Sequence, residues 1–534
     1  MNVLSVIPIV LLTTAAVAIL ILQWLRPGFG LAWLIAGLGA FLAWIAMLFL
    51  RLRLPLSLSF ELKSTDLFSF APALLLDRIS WPYALGLITL VFAAILTASA
   101  RRRFPADPFN WAGSLAISAL GLLAILSGNP LTLMMAWVAF DLVELIILQG
   151  GRPDQNTSQR IVVAFSARTI GVLVFFLAVV FSGTDPNTFA LKHISIQSGL
   201  LIFIGCGLRL GVLPLHLPFS QEPRLRRELG TILRLVPVVS TLVLLARLPA
   251  AIIPEAWVPW LLSLVALAAL YAGGMWLAAD NELNGRPYWM LGWAALAFAC
   301  VIRGSPLASV AWGIVLLLQG GFLFLYSARE KYLVFLPVLG VWGIMGLPFS
   351  PAASGWPGLF EPTFNLFSIA VYISQGLLLA GFIRHVARPG FHLASADRWA
   401  QAVYPVGLLS LMVADLILGV WGWPGSLTRA YAWAGIPALV GCALFLGLSW
   451  RHALPILTAD QVTDRPAWQI ARPFFSRLSV IFRLEWFYNL VGLLYRSLGR
   501  LLGGVTAVLE GDGGVLWILL LLSLVITLFG VGGL

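Results

Sequence analysis

Apolar residues run along this chain in blocks separated by short polar stretches. A helix needs roughly 20 such residues to cross a hydrocarbon layer about 30 Å thick, and the pattern predicts about sixteen crossings. They centre near Ala15, Gly39, Thr89, Ala119, Phe140, Gly171, Gly207, Val239, Ala266, Ala295, Leu316, Val341, Tyr372, Met412, Leu439 and Leu521. One stretch departs from the pattern. From 466 to about 502, Arg477, Arg483, Arg496 and Arg500 are interspersed with Phe475, Leu478, Ile481, Leu484, Trp486, Leu490, Leu493 and Leu494. Basic residues set against such an apolar face describe a helix lying along the membrane surface or along neighbouring subunits; the alternative is an ordinary spanning helix with cationic ends.

Composition agrees: the 534 residues are 60% hydrophobic and only 10% charged, with 22 Trp. A water-soluble globule is nearer half apolar and a quarter charged. The expected fold class is therefore an all-α polytopic membrane protein. The net charge of +11 comes from cations scattered over loops and forms no basic stripe, so no nucleic-acid partner is expected. Arg101, Arg102, Arg103, Arg152, Arg160, Arg224, Arg226, Arg227, Arg329, Lys331, Arg384, Arg388 and Arg398 fall in alternate loops. Cytoplasmic loops carry the Lys/Arg excess, which puts both termini on the outer side of what reads as a prokaryotic plasma membrane. Cys206, Cys300 and Cys442 lie in apolar blocks without metal-ligand spacing and read as packing residues. Neither metal, cofactor nor catalytic centre is expected.

The candidate chemistry lies where charge interrupts apolar sequence. Arg209 stands five residues before Pro214, and Arg234 three before Pro237. Pro214 and Pro218 remove backbone donors, and irregular backbone at membrane depth survives only inside protein or along a wet cavity. Asp141 and Glu144 interrupt the block around Phe140, with Arg168 in the next one. Buried charges of this kind are paired or line an ion path, so these acids are either structural partners of Arg168 or Arg209 or members of a proton relay. For Arg209 the candidate partners are Asp141, Glu144 and Glu222. His216 follows the Pro214 break and is the side chain suited to titrating near neutral pH. Asp415 reads as a structural acid; Asp280, Glu282 and Arg286 read as a solvated polar turn. The segment Gly211 to Pro218 is echoed by Gly346-Leu-Pro348-Phe-Ser-Pro351, five helices later, a pairing that suggests inverted repeats.

The stretch LPLHLPFSQEP, Leu213 to Pro223, followed by VLLARL, Val243 to Leu248, resembles the large antiporter-like membrane subunits of respiratory complex I, membrane-bound hydrogenases and Mrp-type cation antiporters. Phe70 to Ser80, with Asp77 and Ser80, resembles the segment leading into that family's third helix, and Asn129 to Trp137 the opening of its fifth. The resemblance implies a 14-helix core with inverted five-helix repeats and broken helices. The long stretch near the end resembles the lateral helix of the distal complex I subunit. The implied organisation is N-terminal helices over 1–105, a first repeat over 106–250 broken near Pro214, and a second over 251–390 broken near Pro348 and Pro351. Additional helices over 391–465, a lateral helix over 466–512 and a final span over 513–534 complete it.

Departures from the family pattern bear on function. Val138 stands where the resemblance leads one to expect the ion-pair glutamate, with Asp141 and Glu144 further along and, by helical spacing, sharing a face with it. Arg209 replaces the lysine before the break, Gln319 the central lysine of the eleventh helix, and no lysine remains near Pro348. Arginine stays protonated in proteins and is a poor relay. The implied function is a membrane-arm subunit of a proton- or cation-translocating redox complex, quinone- or hydrogenase-linked, holding no cofactor itself. Its ion path, through Asp141, Glu144, Arg168, Arg209, His216, Arg234 and Gln319, is expected to conduct poorly. Its partners would be other membrane subunits, reached through the lateral helix, and lipids. The alternatives are a scaffold version of that subunit and a stand-alone or two-component transporter for ions or inorganic carbon.

Overall fold

The structure is a computed structural model, and it describes residues 3–27, 29–59, 72–100, 108–150, 154–182, 196–217, 225–249, 252–328, 330–359, 365–422 and 435–450, with isolated helical positions beyond. Contacts divide the chain into Met1–Phe475 and Ser476–Leu534. The second unit is described only at single positions such as Leu493 and Leu520. The expected lateral helix over 466–512 and the final span over 513–534 therefore lie outside the described residues, as do Pro218 and Glu222.

In the first unit, with no water to satisfy backbone groups, the apolar blocks form helices. In order these are α1 (Ile7–Leu25), α2 (Ala32–Leu50), α3 (Ser80–Ala98), α4 (Pro108–Ile125), α5 (Pro130–Gly150), α6 (Gln155–Ser182), α7 (Ile196–Leu210) and α8 (Arg227–Ala246). They are followed by α9 (Val258–Ala278), α10 (Arg286–Ile302), α11 (Pro306–Ile314), α12 (Gly320–Leu325), α13 (Phe335–Met345), α14 (Leu366–Val386), α15 (Arg398–Ile417) and α16 (Ile436–Trp450). A π-turn over Val315–Gln319 joins α11 to α12, and another over Leu418–Gly422 continues α15. Among the described residues eleven helices are long and apolar enough to cross a membrane, with three shorter ones besides. This is a multi-pass membrane protein. The expected count of sixteen is not reached because α7, α10, α13 and α16 are short and the last block is outside the described residues.

Burial separates core from rim. The apolar window of α8 is 100% buried and those of α3 and Pro306–Leu325 are 94% buried, whereas α1 and α2 reach only 33%. A helix apolar on every side needs apolar surroundings all round, and the three central ones obtain them from protein.

The connection between α2 and α3 is not helical. Leu56–Ser59 (β1) pairs antiparallel with Ala73–Leu76 (β2), with Leu56 opposite Leu76 and Ser59 opposite Ala73. The Leu-Ser-Leu-Ser alternation explains it, since successive side chains of a strand point to opposite faces and the two leucines are the buried ones. The sequence motifs named above meet beside this hairpin. Asp77 accepts hydrogen bonds from the backbone N–H of Ile79 (3.0 Å) and Ser80 (2.7 Å), and its other oxygen lies 3.3 Å from the Arg247 guanidinium. Arg247 also donates to the Ser127 carbonyl at 2.9 Å, two residues before Asn129, whose side chain accepts from Thr132 N–H at 2.8 Å. Three stretches far apart in sequence thus form one clamp, and its chemistry is structural.

The chain leaves the regular helix at both proline-containing segments. After α7, Gly211 takes a left-handed conformation (φ 74°) and Leu213–Pro214 is cis. The N–H groups of Val212 and Leu213 both reach the Gly207 carbonyl, at 3.0 and 3.4 Å. A Cβ on Gly207 would stand 2.6 Å from the Leu213 carbonyl oxygen, so the chain can fold back this closely only over glycine. After α13, Gly346 (φ 72°) ends the helix in the same way, and Phe349 also has positive φ. Side chains satisfy the carbonyls freed there: Trp356 Nε1 donates to Met345 (3.0 Å), Trp342 Nε1 to Pro348 (2.9 Å) and Gln375 Nε2 to Ile344 (3.2 Å).

Candidate functional site: a buried charge cluster at the first break

Four helices, α5 to α8, bring five ionisable side chains together. Asp141 and Glu144 come from α5, Arg168 from α6, Arg209 from the last turn of α7 and Arg234 from α8. Each is at most 3% exposed. Arg209 donates to Asp141 at 2.8 Å and to the Arg168 carbonyl at 3.3 Å, while Arg168 Nε lies 3.6 Å from Asp141. Glu144 is gripped from two sides, by Arg168 and by Arg234. The Arg209 guanidinium also lies 4.2 Å above the Trp137 ring, whose Nε1 donates to Ser240 Oγ at 2.9 Å.

Helical spacing explains which residues of α5 face inward. At 3.6 residues per turn, Asp141 and Glu144 fall within about 40° of Trp137, and all three are buried. Val138, expected on the same face, is 43% exposed on the outside, 60° or more away around the helix by the same geometry. The position at which the resemblance predicts a glutamate therefore lies off the cluster, and the two acids further along serve the interior instead.

Electrostatics favours a fixed network. An ion inside a low-dielectric interior costs several kcal/mol unless paired and hydrogen-bonded, and here both carboxylates have guanidinium partners. Three guanidiniums face two carboxylates, leaving one positive charge in excess among the five. Arg209 was expected to reach Asp141, Glu144 or Glu222, and it reaches Asp141; Arg168 faces the same interior.

The remaining candidates lie elsewhere. His216 is buried in the break, with its Nδ1 2.7 Å from the Pro214 carbonyl. Since a carbonyl can only accept, Nδ1 carries the proton, and the ring is tied to the break's own backbone. Pro348 and Pro351 lie at the second break. Gln319 closes the π-turn between α11 and α12, fully buried, and meets Asp415 of α15 over Gly343.

The polar turn between α9 and α10 corrects another expectation. Asp280 is exposed, but Glu282 and Arg286 are 7% and 6% exposed. Glu282 accepts from Arg227 at 2.7 Å, and Arg286 donates to the Arg227 carbonyl at 3.1 Å. Burial raises the affinity of the Glu282 carboxyl for its proton, but Arg227 and a backbone hydrogen bond together offset this and hold it below the usual carboxylate range. A depressed carboxyl contributes stability that is present above its unfolded value, about 4.3, and is lost as pH falls through the folded value. Thermal unfolding in detergent across that acid range should therefore show a steeper decline in the wild type than in Glu282→Gln; parallel curves would disprove the pairing. Arg384, assigned to a loop from sequence, is a buried cap at the end of α14, donating to the Leu277 and Ala279 carbonyls that α9 leaves free. Sequence reasoning did not single out Gln375, although an amide in an apolar helix signals a buried polar contact.

No known protein-family profile matches the sequence, and no curated protein does so at a significant level. Solved structures do match. A chain of the membrane-bound sulfane sulfur reductase, an archaeal respiratory membrane complex, superposes with a TM-score of 0.65 at 14% identity, over 98% of this chain and 99% of that one. The chain has the antiporter-like subunit fold. A chain of the Mrp complex from Dietzia sp. DQ12-45-1b gives a TM-score of 0.66 at 13% identity, covering 93% of this chain. Only 63% of that Mrp chain is spanned. A subunit of respiratory complex I from Thermus thermophilus gives 0.56 at 17% identity, over 77% of this chain and 98% of that one. The antiporter-like fold is thus shared over nearly the whole chain at identities that speak for architecture alone.

Proposed function

We propose that this protein is a plasma-membrane subunit of a multi-subunit, ion-translocating respiratory complex, whose path at the first break is closed by fixed ion pairs. The observation that carries the reading is the cluster itself. Both of its acids are engaged by arginines, and arginine does not release a proton under ordinary conditions. Proton passage by successive loading and release would need one of the five to change charge, breaking a buried pair. The fold it shares with chains of the sulfane sulfur reductase, the Mrp complex and complex I supports a place in a membrane arm. The loop-charge bias supports termini on the outer side, and the basic, aromatic stretch 466–512 supports attachment to neighbouring subunits. In this reading the repeats over 106–250 and 251–390 form the core, and the redox cofactors belong to other subunits.

The test is to purify the tagged chain from its native membranes in mild detergent and reconstitute what accompanies it into sealed vesicles. A particle well above the 58.0 kDa of the chain is expected. Proton flux through it should be unchanged by Asp141→Asn and His216→Ala and raised by Arg209→Lys, which puts a titratable ammonium in place of a fixed cation. Recovery of the chain alone overturns the subunit reading. Strong flux abolished by Asp141→Asn overturns the closed path.

A further inference from the structure

Asp415 lies near the end of α15, 6% exposed, with Leu418–Gly422 opening into a π-turn directly after it. Facing its carboxyl is the amide of Gln319, fully buried at the end of the other π-turn. The two meet over Gly343 of α13, where an added Cβ would stand 2.5 Å from Gln319 Nε2 and 2.7 Å from Asp415 Oδ2. Neither amide atom of Gln319, nor Asp415 Oδ1, has a hydrogen-bond partner among the described residues. Gln375 Oε1, on α14, is likewise without one.

Among the described residues packed around Asp415 there is no counter-charge. Besides its own π-turn, α15 packs chiefly against α3, α13, α12 and the Val315–Gln319 turn. None of these elements contains Asp, Glu, Lys, Arg or His, and their one titratable side chain is Tyr83 of α3. On α15 the other charged residue is Arg398, at the far end of the helix. This is the opposite of the first cluster, where every acid has an arginine. A carboxylate buried without a cation costs several kcal/mol, so Asp415 needs a positive charge brought to it. A proton meets that need in place: the neutral acid both donates and accepts, matching a side-chain amide that has a free donor and a free acceptor.

The backbone around the pair is suited to rearrangement. π-turns interrupt the regular helical ladder and occur often at functional sites. In the first π-turn the Leu316 carbonyl accepts from Trp289 Nε1 at 3.1 Å, a bond from another helix. The second π-turn lies on the second break, with Gly419 against the Phe349 carbonyl. The pair thus sits where two helices and a helix break all leave the regular pattern.

We propose that Asp415 and Gln319 form a proton-binding site beside the second break, Asp415 taking up and releasing the proton and Gln319 holding the neutral acid by hydrogen bonding. The site goes beyond the closed path at the first break and would stand even if the chain served no larger complex. The test is pH-difference infrared spectroscopy on the purified protein in lipid. A carbonyl band from a protonated carboxyl is expected at neutral pH, lost on raising the pH, absent throughout from Asp415→Asn and shifted in frequency by Gln319→Leu. Identical spectra for wild type and Asp415→Asn would overturn the proposal, as would a band insensitive to pH, which marks a permanently neutral structural acid. A band removed by sodium at fixed pH would overturn it in favour of a cation site. None of these readouts depends on flux or on co-purifying subunits, so the proposal can fail independently of the functional reading.

Discussion

Glu144→Gln is expected to lower the stability of the folded protein by about 3–5 kcal/mol, the usual consequence of leaving a buried partner charge uncompensated. Glu144 is fully buried and is the shared partner of Arg168 and Arg234, so one substitution leaves two guanidiniums facing each other in a site already one positive charge in excess. Truncating Arg234 as well should recover much of the loss. Without the carboxylate, Arg234→Met removes a buried charge and restores apolar packing. The measurement is a double-mutant cycle on thermal unfolding in detergent. If Glu144→Gln melts like the wild type, the two bonds described here do not hold the helices together.

A second large effect is expected at Gly419. A Cβ there would lie 1.9 Å from the Phe349 carbonyl oxygen and 2.4 Å from its carbon, both backbone atoms that cannot rotate away. Gly419→Ala should therefore push the π-turn off the second break, at a cost of about 3 kcal/mol, toward the upper end of what forced overpacking gives. Gly441→Ala, where nothing stands within 4 Å of an added Cβ, is the matched control. Equal melting temperatures for the two variants would rule out the close approach. A selective loss at Gly419 would show that the end of α15 and the second break move as one piece.

The helical blocks were legible in sequence because membrane burial demands long apolar runs, and every predicted centre before Leu521 falls in a described helix or, at Leu316, in the π-turn. Arg209 and Arg168 were legible as paired charges for the same reason: a cation in such a run has few ways to survive. What could not be read was set by partners distant in sequence. The π-turn before Gln319 accompanies an indole, Trp289, reaching in from another helix, which no local pattern encodes. Glu282, Arg286 and Arg384 look solvated in sequence because a polar turn reads alike whether it faces water or caps a neighbouring helix. Val138 was placed on the inner face by its three-residue spacing from Asp141, yet Trp137 shows which of two adjacent faces is buried. The isolation of Asp415 from cations among the described residues could not be read either, because it is a property of the helices packed against it.

The charge cluster also has a history within each molecule's synthesis. Its two acids arrive first, on α5, and the arginines follow, 24 residues after Glu144 on α6, 68 residues after Asp141 on α7 and 90 residues after Glu144 on α8. A growing chain that has delivered only α5 holds two carboxylates with no guanidinium from this set, a costly state in lipid that the arrival of α6 begins to relieve. Each further helix contributes one more cation to the same spot. Arg234 lies on the helix that also ends at Arg247, the residue closing the clamp to Asp77, so one late helix completes both the two-sided grip on Glu144 and the clamp. Emergence of α8 is therefore the step that gives Glu144 its second arginine and Asp77 its cation, and a chain stalled before it has two arginines for its two acids but the clamp still open.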